Sequence, residues 1–257
     1  MAEQSYLYKY RHFDRNNPDH AQRIFTENEV YFPNPNQFND PFDCRHGFSF
    51  TASTKDIRDY FGRSLKRNHP NMPRGERRRW IKERVTNAKL KSQEFHDSLT
   101  ANEDTFLSSI GIFSLTKVPD NILMWSHYAD SHRGFCLKFK DDPDEWFIGR
   151  AQEVIYAKEF PIVNPITDSE TDRFDKEILT KAKDWEYEEE WRVVDPFDGP
   201  GIKRFPPEIL QGVIFGCKMS EASKDLIYEW CKNRKSKLKF YQAIQKTKTY
   251  GLKIVPA

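Results

Sequence analysis

Eight short segments of this chain alternate their side chains with a period of two, and no regular succession of helices separates them. They are YLYKYR (6–11), EVYF (29–32), GIFSL (111–115), GFCLKFK (134–140), EVIYA (153–157), EEWRVVD (189–195), GVIFG (212–216) and LKFYQAI (238–244). A period of two puts successive side chains on opposite faces of a strand, so each segment reads as a short strand. A doubly wound parallel sheet needs strands and helices in alternation, and that alternation is missing. The expected fold is α+β, with a mixed, largely antiparallel sheet in a single domain over 1–257 and a basic helical insertion at about 52–108.

Helical spacing fits four stretches between the strands. The segment 74–99 carries Trp80, Val85, Ala88 and Phe95 on one stripe of an otherwise basic helix. The segment 119–130 opens with Pro119 and Asp120, residues suited to a first turn. The segment 171–185 spaces Phe174, Ile178, Ala182 and Trp185 as a helix would, and 220–233 begins with the capping residue Ser220. The turn-rich loop PNPNQFNDPFD (33–43) has Phe38 and Phe42 to anchor it.

Composition removes several classes. The start, MAEQSYLYKY, lacks the basic and apolar regions of a signal peptide, and no apolar run approaches the roughly 20 residues that span a bilayer. A soluble, cytoplasmic protein is expected, with no membrane partner. Cys44, Cys136, Cys217 and Cys231 form no C-x-x-C pair, which argues against zinc, and no metal site is expected. With 11 glycines there is no phosphate loop, no G-x-G-x-x-G and no G-x-S-x-G.

The net charge of +2 hides a segregation of sign. Residues 55–91 hold 13 Lys/Arg against 4 Asp/Glu, and 232–248 hold 7 against none, whereas 141–190 hold 6 against 16. Such blocks are either solvated helix exteriors or a surface for polyanions, for which Arg77, Arg78 and Lys82 are the named candidates.

The most concentrated chemistry is DWEYEEEWRVVD, Asp184 to Asp195. Read as one strand, it puts Trp185, Tyr187, Trp191 and Val193 on one face and Glu186, Glu188, Glu190 and Arg192 on the other. Glu188 and Glu190 would then stand side by side, with Glu190 also able to pair with Arg192 along the same face. Ser114 and Thr116 share a face at the end of their strand, and MWSHYADSHRG (124–134) gathers His127, Tyr128 and His132. The two histidines are five apart, the wrong interval for two ligands on one helix face. A histidine here either holds a phosphate or hydroxyl or is satisfied inside the fold.

Two resemblances rest on these residues. LYKYR, FNDPFDC, MWSHYAD-x-H-x-GFCL and W-x-YE-x-EWR together resemble the bacterial domain-of-unknown-function family 2971, whose members are often met near phage-defence genes. The order Arg11, Ser114 in FSLT, then Glu188-x-Glu190 resembles the R-S-E arrangement of ADP-ribosyltransferases, although His12 follows the arginine where a small residue is usual. The second resemblance implies an ADP-ribosyltransferase-type sheet and a transferase that takes NAD as substrate. It implies Glu190 at the ribose 2′-hydroxyl, Glu188 on the acceptor, and Arg11 on the dinucleotide's phosphate or ribose. Ser114 and Thr116 would stand near the nicotinamide ribose, and Tyr128 or Trp125 would stack on the ring, with His127 nearby. It further implies a toxin or phage-defence effector acting on nucleic acid, RNA above all, or on protein, with an antitoxin as partner. Which of Glu188, Glu189 and Glu190 is central is left open. Two other classes stay in view: a non-catalytic RNA-binding module, and a nuclease using Asp40, Asp43 and Glu188 for Mg²⁺.

Overall fold

The computed structural model describes residues 4–86 and 104–257. They form two compact units: one from 4–39, 109–154 and 183–257, the other from 40–86, 104–108 and 155–182. The fold class is α+β.

The first unit is built on eight strands: β1 (Tyr6–Arg11), β4 (Gly111–Thr116), β5 (Phe135–Lys140), β6 (Gln152–Glu153), β10 (Glu190–Asp195), β12 (Leu210–Phe215), β13 (Lys239–Gln245) and β14 (Leu252–Pro256). Their order across the sheet is β14-β13-β12-β5-β1-β4-β10-β6. Only β12 and β13 run parallel. An antiparallel pair, β2 (Glu29–Phe32) with β11 (Gly201–Arg204), lies beside this sheet.

Alternation along each strand divides the sheet's two faces. Leu7, Phe113, Leu137, Val193 and Val213 enter one core, which α1 (Asp19–Thr26) closes with Ile24 and Phe25. Tyr10, Cys136, Ile214 and Ala243 enter a second core on the opposite face, under Met124 and Trp125 from the helix at Ile122–Tyr128 and Ala129 just after it. Trp125 is wholly buried and meets Tyr10 edge to face, with centroids 5.1 Å apart. Gly134 is required where β5 begins, because a Cβ there would lie 2.2 Å from the Arg11 carbonyl oxygen.

The ladder is uneven. β1 pairs with β5 at six successive positions, from Tyr6↔Lys140 to Arg11↔Phe135. Against β4 it has the single pair Tyr8↔Thr116. Beyond that rung the Lys9 ammonium donates to the Ser114 carbonyl at 2.7 Å and sits 5.0 Å from the centre of the Phe113 ring. A side chain satisfies the carbonyl where backbone pairing stops.

The second unit holds α2 (Thr54–Asn68) and α3 (Arg74–Thr86), with Phe61 and Trp80 in edge contact at 5.5 Å. Ser53 and Asp56 form a reciprocal cap at the start of α2. Two short parallel pairs accompany the helices, β3 (Gly47–Phe48) with β8 (Ile162–Val163) and β7 (Ile155–Ala157) with β9 (Thr180–Ala182). The rest of the helix expected over 74–99, with Ala88 and Phe95, lies outside the described residues.

Three expectations are corrected. The helix expected over 171–185 is α5 (counting Ile122–Tyr128 as α4), Glu170–Phe174, followed by one wide turn over Asp175–Leu179 and then β9. The Thr180 hydroxyl donates to the Asp175 carbonyl at 2.8 Å, and strand pairing with 155–157 takes over from helical spacing. The strand expected over 153–157 breaks at Val154: residues 152–153 pair with β10 and residues 155–157 with β9. The strand expected from Glu189 starts one residue later. Lys183–Glu188 form a 3₁₀ helix, and Glu189 has φ +42°, turning the chain into β10.

Candidate functional site

That turn changes the geometry of the acidic run. Glu188 is the last residue of a helical turn and Glu190 the first of a strand, so the two carboxylates arrive from different elements. Both are buried, at 3% exposure each. Tyr187 joins the core with Tyr10 and Trp125, while Trp191 packs against the opposite one, so the aromatic residues expected on one face serve both.

Glu190 is paired in register with Thr116, and Arg192 with Ser114. All four therefore stand on the sheet face that carries Tyr8 and Tyr10. The Arg192 guanidinium, wholly buried, donates from Nε to Glu190 Oε1 at 2.9 Å and from Nη2 to Oε2 at 3.1 Å. Its carbon centre lies 5.6 Å from the Phe38 ring. The plainer account of Glu190, pairing with Arg192 along one strand face, is realised as a two-pronged ion pair.

Glu188 is held otherwise. Its Oε1 accepts from the Tyr128 hydroxyl at 2.7 Å, and its backbone carbonyl accepts from the Thr116 hydroxyl. Thr116 Oγ1 in turn accepts from the Val118 amide at 3.1 Å. Tyr128 is brought there by α4, which Asn121 caps with its Oδ1 on the Leu123 and Met124 amides. The Asn121 Nδ2 donates to the Tyr187 carbonyl at 2.9 Å, tying the helix start to the turn that presents Glu188.

The structure thus brings Ser114, Thr116, Tyr128, Glu188 and Glu190 to one face of the sheet. His127 is exposed on α4 with its ring near Tyr128. Arg11 is not in this group. It shares strand parity with Leu7, and its side chain lines a cleft with Ile24, Val30 and Ile202 on the other face. The partner that sequence reasoning assigned only as an alternative is Arg192. Asn121 was missed, although an asparagine two residues after a proline and just before an apolar helix is a capping signal.

The histidine of the following turn is structural. Asp130, Ser131 and His132 all have φ between +48° and +71°. Ser126 donates to the Ile122 carbonyl at 2.8 Å, so its proton is committed, and the 3.1 Å contact with His132 Nε2 is a bond the histidine donates. Burial, aided by Lys218, lowers the His132 pKa and favours this neutral form.

In the second unit, Arg78 and Lys82 are exposed one turn apart on α3, while Arg77 donates to the Met72 carbonyl at 2.9 Å. Among the described residues no group of three or more His, Cys, Asp or Glu is arranged to hold a metal, and no helix is long and apolar enough to cross a membrane.

No curated protein and no solved structure matches the chain. Residues 124–193, which include Trp125, Tyr128, Glu188, Glu190 and Arg192, match the model of a family described as "Protein of unknown function (DUF2971)", and this bears out the family resemblance read from the motifs in that segment.

Proposed function

We propose that the chain cleaves NAD and transfers its ADP-ribose, with Glu188 as the carboxylate at the reacting ribosyl centre. One observation carries this reading: two buried carboxylates, three hydroxyl side chains and a guanidinium converge where β4 ends and β10 begins. The donor set fits the substrate. Nicotinamide leaves as a neutral base and needs no general acid, whereas the ribosyl carbon gains positive charge that a fixed carboxylate offsets.

The roles follow from the hydrogen bonds. Arg192 engages both oxygens of Glu190, which makes Glu190 a positioning residue. Glu188 accepts from the Tyr128 hydroxyl at 2.7 Å and ends the turn that leads into β10, which sets its carboxylate beside that aromatic ring. Tyr128 doubles as an aromatic surface beside the carboxylate. Ser114, half-buried opposite Arg192, supplies a hydroxyl to the same face.

The acceptor in this reading is nucleic acid. The exposed cations of α3 suit phosphates, which give affinity without sequence reading. The biological role, a toxin or phage-defence effector with an antitoxin partner, comes from the resemblance alone.

The test is nicotinamide release from NAD, with and without total RNA. Glu188→Gln is expected to lose about two orders of magnitude, the usual scale for one well-placed electrostatic group, while keeping its fold. Absence of release by the wild type under every acceptor condition would overturn the reading.

A further inference from the structure

Arg11 ends β1 on the face of the sheet turned away from Glu188 and Glu190. Its Nε is buried and has no hydrogen-bond partner among the described residues. Burial lowers the pKa of the guanidinium from its ordinary value. Arg11 as a whole is half-buried, and a buried donor of a cation left without a partner is costly, a cost that an anion in contact with the guanidinium offsets.

The surroundings provide for one. Arg11 opens on a cleft of about 410 Å³, within the range of small-molecule sites, whose other basic residues are His20 and Arg23 from α1. The one carboxylate lining it, Glu29, is already engaged, by Arg23 at 2.6 Å and by Arg204 at 3.2 Å. Gln37 adds a donor. Its Oε1 accepts from the Tyr31 hydroxyl at 3.2 Å and from the Asn34 amide at 3.0 Å, which leaves its NH₂ as the remaining polar end. Ile24, Val30 and Ile202 supply apolar wall. Basic and amide side chains together with aliphatic surface in one cleft suit a ligand with an anionic head and an apolar body.

We propose that this cleft binds a small organic phosphate, a monoester whose phosphate Arg11 holds and whose body rests on Ile24, Val30 and Ile202. The planar guanidinium fork matches phosphate oxygens two at a time, and a monoester dianion offers the cleft's several basic side chains more charge and more acceptors than a single carboxylate does. The site is independent of the transferase reading, since it lies on the other face of the sheet.

Phenyl phosphate is the minimal probe, titrated by calorimetry into the full chain and into Arg11→Met, Arg11→Lys and Glu188→Gln. The wild type and Glu188→Gln should bind saturably and equally, Arg11→Met at least tenfold more weakly, and Arg11→Lys in between. Thermal unfolding without ligand separates binding from folding. Arg11→Met should be at least as stable as the wild type, because it removes a buried Nε donor with no partner among the described residues, and it should lose most of the rise in Tm that the probe gives the wild type. The proposal is overturned by no binding to the wild type, by equal binding to Arg11→Met, or by a large loss of stability in Arg11→Met, which would make the arginine structural. Tighter binding of benzoate than of phenyl phosphate would overturn the phosphate assignment. Loss of binding in Glu188→Gln would put the ligand on the opposite face and overturn the site.

Discussion

Arg192 and Glu190 are two residues apart on one strand, and their buried side chains meet through two parallel hydrogen bonds of 2.9 and 3.1 Å. Both charges are buried, and removing one member of a buried ion pair costs about 3–5 kcal/mol. Urea unfolding of Glu190→Gln should show a loss on that scale. The double variant Glu190→Gln/Arg192→Met should be more stable than the sum of the single losses predicts. Additive losses would mean that the pair is not coupled.

Tyr128→Phe removes one hydroxyl and leaves the ring. If the phenol steadies Glu188 during the reaction, nicotinamide release should fall about tenfold, the equivalent of roughly 1.4 kcal/mol. The unfolding midpoint should move little, since Tyr128 is only partly buried. Unchanged release with a lowered midpoint would restrict the bond to a structural role.

His46 gives the second unit an acid-sensitive term. Burial, with Arg173 and Arg45, lowers its pKa from 6.5 to about 4. Above pH 6.5 the imidazole is neutral whether the chain is folded or not. Between 6.5 and about 4 only the unfolded chain takes up the proton, so this contribution is complete above 6.5 and is lost as the pH falls toward 4. His46→Gln should therefore flatten the decline in Tm between pH 7 and pH 4.5. A parallel decline in both proteins would assign it to the carboxylates.

RNA binding through α3 would depend on salt. Each phosphate contact contributes about −0.7 to the slope of log affinity against log salt on a single strand. Arg78→Ala/Lys82→Ala should reduce that slope by about 1.4, whereas Arg77→Ala, which also breaks the bond to Met72, should lower helix stability as well. Equal slopes in filter binding would remove α3 from the interface.

Much of the sheet was legible because period-two alternation appears wherever the two faces of a strand meet different surroundings. The segments at 6–11 and 29–32 coincide with β1 and β2. The acidic run was legible as chemistry and illegible as geometry. Glu189 takes a left-handed conformation that nothing in EYEEEW announces, and that one residue moves Glu188 from the strand onto a helical turn. The segment 171–185 misled for a different reason. Its stripe of Phe174, Ile178 and Ala182 is helical in spacing, yet Thr180–Ala182 find a strand partner more than twenty residues earlier in the sequence. Pairing between distant segments leaves no local trace. For the same reason the strand parity of Arg11, settled by β5, was not readable beside the motif that suggested its role.

The single rung between β1 and β4 has a consequence for the acidic residues. The sheet is in effect two ladders joined at Tyr8 and Thr116, with β4, β10 and β6 forming the narrower one. Glu190 rides on that narrow ladder, and Glu188 precedes it, whereas the helix carrying Tyr128 packs against β1 on the broad ladder. The Tyr128–Glu188 bond is therefore a latch across the seam. Parting the two ladders would release the acid from its phenol, so the rigidity of this joint and the alignment of Glu188 are one property of the molecule.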